Sequence, residues 1–145
     1  MQTDPQTNFE LRIRTLRVLW IAMLLSVAVY YVFTLYVGRP ENVEANSTLF
    51  LAFVVVGLST TLISFLVKNK LLKRAVEQQQ VQMVQPAYVV AWALTEVAAL
   101  LGVLDFFATG DRYYYVLFII AALGQLLHYP RGEHVVNAST KTSIS

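Results

Sequence analysis

Apolar positions along the chain fall into four long runs separated by short polar breaks: Val18 to Val37, Leu49 to Val67, Ala87 to Ala108 and Tyr113 to Tyr129. At about 1.5 Å of rise per residue, roughly 20 residues cross a hydrocarbon layer about 30 Å thick. The first three runs meet that length. The fourth, YYYVLFIIAALGQLLHY, sits at the lower end of the spanning range, and its aromatic ends resemble interface anchors. None of the runs alternates apolar and polar residues as barrel strands do, so helices are the only spanning element left. The pattern predicts an all-α fold, a four-helix transmembrane bundle with spans at about 18–37, 49–67, 87–108 and 113–129. It forms one membrane domain over residues 1–145.

The breaks carry turn chemistry: GRPENVEANST after the first run, EQQQVQMVQP before the third, and TGDR between the third and fourth. The last is so short that the third and fourth helices must form a tight antiparallel hairpin. Direction follows from the basic residues. Arg12, Arg14 and Arg17 precede the first run; Lys68, Lys70, Lys73 and Arg74 follow the second; Arg131 and Lys141 lie in the tail. Only Arg39 and Arg112 fall in the other two loops. The positive-inside rule therefore places both termini in the cytoplasm, with residues 1–15 and 130–145 as cytoplasmic ends, and implies a multi-pass protein of the inner (plasma) membrane. The first run is too long for the apolar region of a signal peptide and no small-x-small cleavage site follows it, so it is read as a retained anchor.

Asp4 and Pro5 suit the start of a helix, with Phe9, Ile13 and Leu16 on one side, so the segment before the first span reads as an interfacial extension of it. The segment after the second span likewise extends that helix as an amphipathic piece bearing Leu71, Leu72, Ala75 and Val76. Its cations Lys68, Lys70, Lys73 and Arg74 fit anionic lipid headgroups, making the bilayer the first expected partner.

Composition agrees. Of the 145 residues, 57% are hydrophobic and 14% charged, where a soluble domain carries about a quarter charged. A formal charge of +2 is too small to suggest nucleic-acid binding. The chain has no cysteine, which excludes disulfides, thiolate metal sites and thiol nucleophiles.

Against this background one residue stands out. Glu96 lies near the middle of the third run, about ten apolar or small residues from either end, too far for a glutamate to reach the interface. A charge at a helix centre costs about 2.5 to 3.5 kcal/mol on insertion scales. No Lys, Arg or His lies at that depth in any run, so the acid is expected to keep its proton at neutral pH and to look for hydrogen-bond partners. Aligning the runs by depth nominates Ser26, Thr60, Thr61 and Gln125. The third run also has a stripe of small residues, Ala91, Thr95, Ala98 and Gly102, from which Glu96 projects away. If that stripe packs on the second helix, Glu96 faces the first helix, the fourth helix or another subunit. Asp105 lies near the TGDR turn and is expected to reach interfacial water or Arg112.

Other signals are weaker. His128 and His134 flank Pro130 too far apart to share a helix face as metal ligands, and His128 reads as an interfacial anchor. Tyr30, Tyr31 and Trp92 are candidates to line a quinone slot. Asn46 and Asn137 head NST and NAS triplets. No phosphate loop, serine triad or paired-carboxylate hydrolase pattern is present, and no metal site or cofactor is expected.

The stretch ALTEVAALLGVL, with Gln85-Pro86 before it, resembles the carboxylate-bearing helix of subunit c of rotary ATP synthases. That resemblance implies a proton-binding role for Glu96. The chain departs from the family in its second run, which holds only Gly57 in place of a repeated Gly-x-Gly pattern. As a whole it is similar to small four-helix bacterial integral membrane proteins without an assigned activity. Three functions are expected in order: a non-catalytic accessory or oligomer-forming subunit, in a homo-oligomer or larger membrane complex; a proton-binding transport component using Glu96; and a quinone- or cofactor-binding membrane subunit.

Overall fold

Turn chemistry at the ends of each apolar run decides where the helices stop. The computed structural model describes residues 5–38, 45–133 and 136, with side chains from residue 10 onward. The first helix, α1 (Pro5–Val37), opens on a proline, whose missing N–H is no loss in a first turn, and is followed by Gly38 at φ +73. Helix α2 (Ser47–Glu77) begins where the Asn46 side chain accepts from the Leu49 N–H at 3.0 Å. It ends where Gln79, at φ +53, turns the chain so that the Gln80 N–H reaches the Ala75 carbonyl at 2.9 Å. A 3₁₀ turn, Val81–Met83, leads into α3 (Val84–Ala108), and after a turn at Gly110 the chain enters α4 (Tyr115–Leu127).

The architecture is all-α, and three of the four helices are long and apolar enough to cross a membrane. This is the composition of an integral membrane protein. The helices extend differently from the apolar runs. With 33 and 31 residues, α1 and α2 are about 50 and 46 Å long, well beyond the hydrocarbon thickness. The fourth is shorter than expected: its 13 residues measure about 20 Å, so 113–129 is not one spanning helix. The reasons lie at its two ends. The Asp111 carboxylate accepts from the Tyr113 N–H at 2.9 Å, and the Thr109 hydroxyl accepts from the Asp111 N–H at 3.1 Å, which holds a turn before the helix. At the other end Pro130 cannot continue a helix and disfavours helical backbone at Tyr129.

Helix α3 is the centre of the bundle, packed against all three others, while α1 and α2 hardly meet. Two buried clusters lie at different depths. One, at the end rich in basic residues, joins Leu16, Leu72, Ala75, Val84, Ala87, Tyr88 and Trp92, with Ile13, Leu71, Val76 and Val81 packed on it. The extensions of α1 and α2 thus both pack on the first turns of α3, capping the bundle. The other cluster, Val27, Ala98, Ala99, Phe118 and Ala121, lies deeper. Lipid tails are as apolar as leucine, so close packing rather than hydrophobic burial must hold the spans together. The small stripe serves that purpose. A Cβ added at Gly57 would meet Ala98 Cβ at 3.2 Å and Leu117 Cδ2 at 3.1 Å, and one at Gly124 would meet Thr61 and Thr95 Cγ2 at 2.9 Å each.

The Asp4 cap, the side chain of Phe9, and Arg39, His134, Asn137 and Lys141 lie outside the described residues or side chains.

Candidate functional site

Residues Ala91, Thr95, Ala98, Gly102 and Asp105 form one buried face of α3, and that face is turned away from Glu96. Glu96 is half-buried and looks toward α1. There Ser26 Oγ lies 2.7 Å from Glu96 Oε1, a hydrogen bond between the two side chains. The Tyr30 hydroxyl, one turn further along α1, lies near Glu96. Residues 26 and 30 are neighbours on a helix surface, so α1 offers the acid two hydroxyls side by side.

The geometry at Ser26 constrains proton placement. Its Oγ is 2.7 Å from Glu96 Oε1 and also 2.7 Å from the Met23 carbonyl. A carbonyl only accepts, and a serine has one proton to give. Ser26 cannot serve both contacts fully on its own. Both are complete when the carboxyl brings a second proton, donating to Oγ while the serine donates to Met23.

Of the four partners nominated by depth, Ser26 is brought to Glu96 and the others are not. The hydroxyls of Thr60 and Thr61 both donate to the Gly57 carbonyl, at 3.0 and 2.8 Å. Gln125 Nε2 donates to the Trp92 carbonyl at 3.1 Å. The physical reason is facing: α2 packs on the small stripe of α3, so its threonines lie on the other side of that helix from Glu96 and turn back onto their own backbone. Gln125 Oε1 is fully buried without a hydrogen bond.

Two polar groups occupy positions that the sequence did not suggest. His128 is completely buried rather than interfacial. Its Nδ1 is 2.8 Å from the Gly124 carbonyl, so Nδ1 carries a proton, and Nε2 is 3.0 Å from Ser64 Oγ. The ring lies 4.1 Å from that of Phe65, and the backbone carbonyl accepts from Trp92 Nε1 at 3.1 Å. Asp105 is equally enclosed and reaches neither water nor Arg112. Both of its carboxyl oxygens lack a hydrogen-bond partner, while Arg112 donates to the Tyr113 hydroxyl at 2.8 Å. Helical spacing from Gly102 was the available signal, since position 105 continues the small stripe.

The three aromatic candidates for a quinone slot have different surroundings. Tyr30 lies near Glu96, Tyr31 packs edge-on to Phe118 at 5.5 Å, and Trp92 is fully enclosed beside Tyr88 at 5.6 Å. A separate apolar groove of about 400 Å³ lies between α1 and α4, lined by Leu24, Val27, Tyr31, Phe118 and Ile119 among others. Among the described residues no three His, Asp or Glu side chains converge as a metal site.

At the basic end, Lys70, Lys73 and Arg74 are exposed, and Lys73 pairs with Glu77 at 3.9 Å one turn on. Lys68 differs: it is half-buried, its Nζ over the rings of Phe65 and Tyr88 at 5.6 and 5.8 Å. No family model matches the chain, and comparisons with curated proteins and with solved structures find no match.

Proposed function

We propose that the chain is a non-catalytic subunit of the inner (plasma) membrane, a multi-pass bundle with cytoplasmic ends that assembles with itself or within a larger complex. In this reading Glu96 is uncharged and acts as the clasp that holds α1 on α3. The shared serine supports it: Ser26 Oγ lies 2.7 Å from both Glu96 Oε1 and the Met23 carbonyl, and a protonated carboxyl satisfies both contacts in series. Glutamine reproduces that pattern, because its amide N–H donates where the acid O–H would.

The test is a pair of substitutions in the purified, detergent-solubilised protein. Glu96→Gln is expected to keep the oligomeric mass and the resistance to unfolding of the parent, and Glu96→Ala to lose part of the latter. A glutamine variant that unfolds as easily as the alanine one means that the charged form is the structural one, and the reading is wrong.

A second reading has one observation in its favour. Glu96 is only half-buried where α3 meets α1, and from a partly exposed position a proton can be passed to a partner subunit. This is the transport role implied by the resemblance to subunit c. It requires that Glu96→Gln abolish proton flux in reconstituted vesicles while leaving assembly intact. It also requires that a hydrophobic carbodiimide modify Glu96 in a pH-dependent way.

A further inference from the structure

Tyr88, near the start of α3, touches two cation-bearing residues from different parts of the chain. The Lys68 ammonium, from α2, lies 5.8 Å from the centre of its ring, and the Arg131 backbone N–H, from the segment after α4, donates to its hydroxyl at 3.3 Å. The Arg131 side chain is exposed and leaves from that backbone contact. Like charges near one another repel, and an anion between them relieves the repulsion. Among the described residues no carboxylate comes within 4 Å of either, the ion pair there being Lys73 with Glu77 further along α2. The arrangement is held rather than loose: Lys68 rests on two aromatic rings, and Tyr88 is buried in the capping cluster.

We propose that Lys68 and Arg131 together bind one phosphate group, that of an anionic phospholipid headgroup. Depth supports that source. Lys68 directly follows Val67, the last residue of the second apolar run, and the edge-on pair Trp20 and Tyr129, with ring centres 5.1 Å apart, lies in the same part of the bundle. Paired aromatic rings of this kind mark the headgroup level. The chemistry fits as well: a guanidinium offers a planar fork to two phosphate oxygens, and an ammonium adds a compact point charge beside it. Lys70, Lys73 and Arg74 are exposed and contribute a general attraction to anionic membranes. The paired site differs from that attraction in that Tyr88 holds the Lys68 ammonium and the Arg131 backbone in place.

The experiment uses the full chain in a neutral detergent, titrated with a short-chain phosphatidylglycerol, with phosphatidylcholine of the same chain length, and with inorganic phosphate. Bound lipid is counted by native mass spectrometry and unfolding temperature is followed in parallel. Saturable retention of one phosphatidylglycerol, with a rise in unfolding temperature that phosphatidylcholine does not give, is the expected result. Lys68→Gln and Arg131→Gln should each weaken binding roughly fivefold, the scale of one headgroup contact. Lys68→Arg should restore most of it, which separates lost charge from lost folding. The double variant Lys70→Gln/Lys73→Gln removes more charge and should change binding by less than about twofold. Competition by millimolar inorganic phosphate supports the same site with free phosphate as its ligand, and lack of competition supports the lipid. Equal retention of phosphatidylcholine, or equal loss in the Lys70/Lys73 variant, overturns the proposal.

Discussion

Gly124 sits where three helices come closest, and adding one methyl group there should cost more than at the other glycines of the bundle. A Cβ at position 124 would lie 2.9 Å from Thr61 Cγ2 on α2 and 2.9 Å from Thr95 Cγ2 on α3. Relief to an ordinary carbon contact of roughly 3.5 Å must come from both sides at once. Neither threonine is free to turn, since Thr61 Oγ1 donates to the Gly57 carbonyl and Thr95 Oγ1 to the Trp92 carbonyl, both at 2.8 Å. Rotating either side chain forfeits that bond, and β-branched side chains are stiff in helices. Overpacking costs about 1 to 3 kcal/mol, while replacing a helical glycine by alanine returns about 0.5 to 1 kcal/mol. The net expectation for Gly124→Ala is a loss of about 0.5 to 2 kcal/mol. Gly102→Ala is the comparison. Its Cβ would meet Phe118 Cε2, also at 2.9 Å, but Phe118 borders the groove between α1 and α4 and its ring has space to swing into. That substitution should change stability by less than about 0.5 kcal/mol, the two opposing terms nearly cancelling. Reversible unfolding in mixed micelles of rising SDS content, followed by far-UV circular dichroism, measures both. If Gly124→Ala is as stable as the parent, or Gly102→Ala is the worse of the two, this account of the packing is refuted.

Three further outcomes are expected in the same assay. Ser26→Ala should lose about 0.5 to 1.5 kcal/mol, the scale of one interhelical hydrogen bond; a neutral result means that the clasp contributes nothing. Gln125→Met removes a buried acceptor that has no partner and one bond to a carbonyl already engaged by Thr95, so stability should stay within about 1 kcal/mol of the parent. Loss of more than that in Gln125→Met points to an undetected partner for Oε1. Asp105→Asn keeps the side-chain shape and gives up no hydrogen bond to the carboxyl oxygens, so its midpoint at pH 7 should equal or exceed that of the parent. A clear fall in that midpoint shows that the acid is held by an interaction beyond those described.

The number of helices and their class were legible because a bilayer admits few alternatives and apolar run length states them directly. Which way each polar residue faces was not legible, and that decided the site. Depth alignment placed Thr60, Thr61 and Gln125 level with Glu96, but facing depends on which helix covers the small stripe of α3, a property of the assembled bundle. Once α2 takes that stripe, Ser26 and Tyr30 on α1 are the hydroxyls left to meet Glu96. The same limit applied to His128. From its position beside Tyr129 and Pro130 it reads as a surface anchor, yet the early end of α4 carries its ring inward onto Ser64 and Phe65. The length of α4 was misjudged because aromatic residues at the ends of an apolar run look alike whether they cap a span or form its flanking turns.

The unbroken length of α1 has a mechanical meaning. From Arg12 at the basic end to Ser26 beside Glu96 the chain is one helix, about 21 Å of it, with no proline or glycine to serve as a hinge. Because α1 scarcely meets α2, its packing in the bundle is against α3 and α4. A force applied to its surface portion by lipid or by a neighbouring protein is therefore delivered, undamped by any joint, to the hydroxyl that touches the carboxyl group.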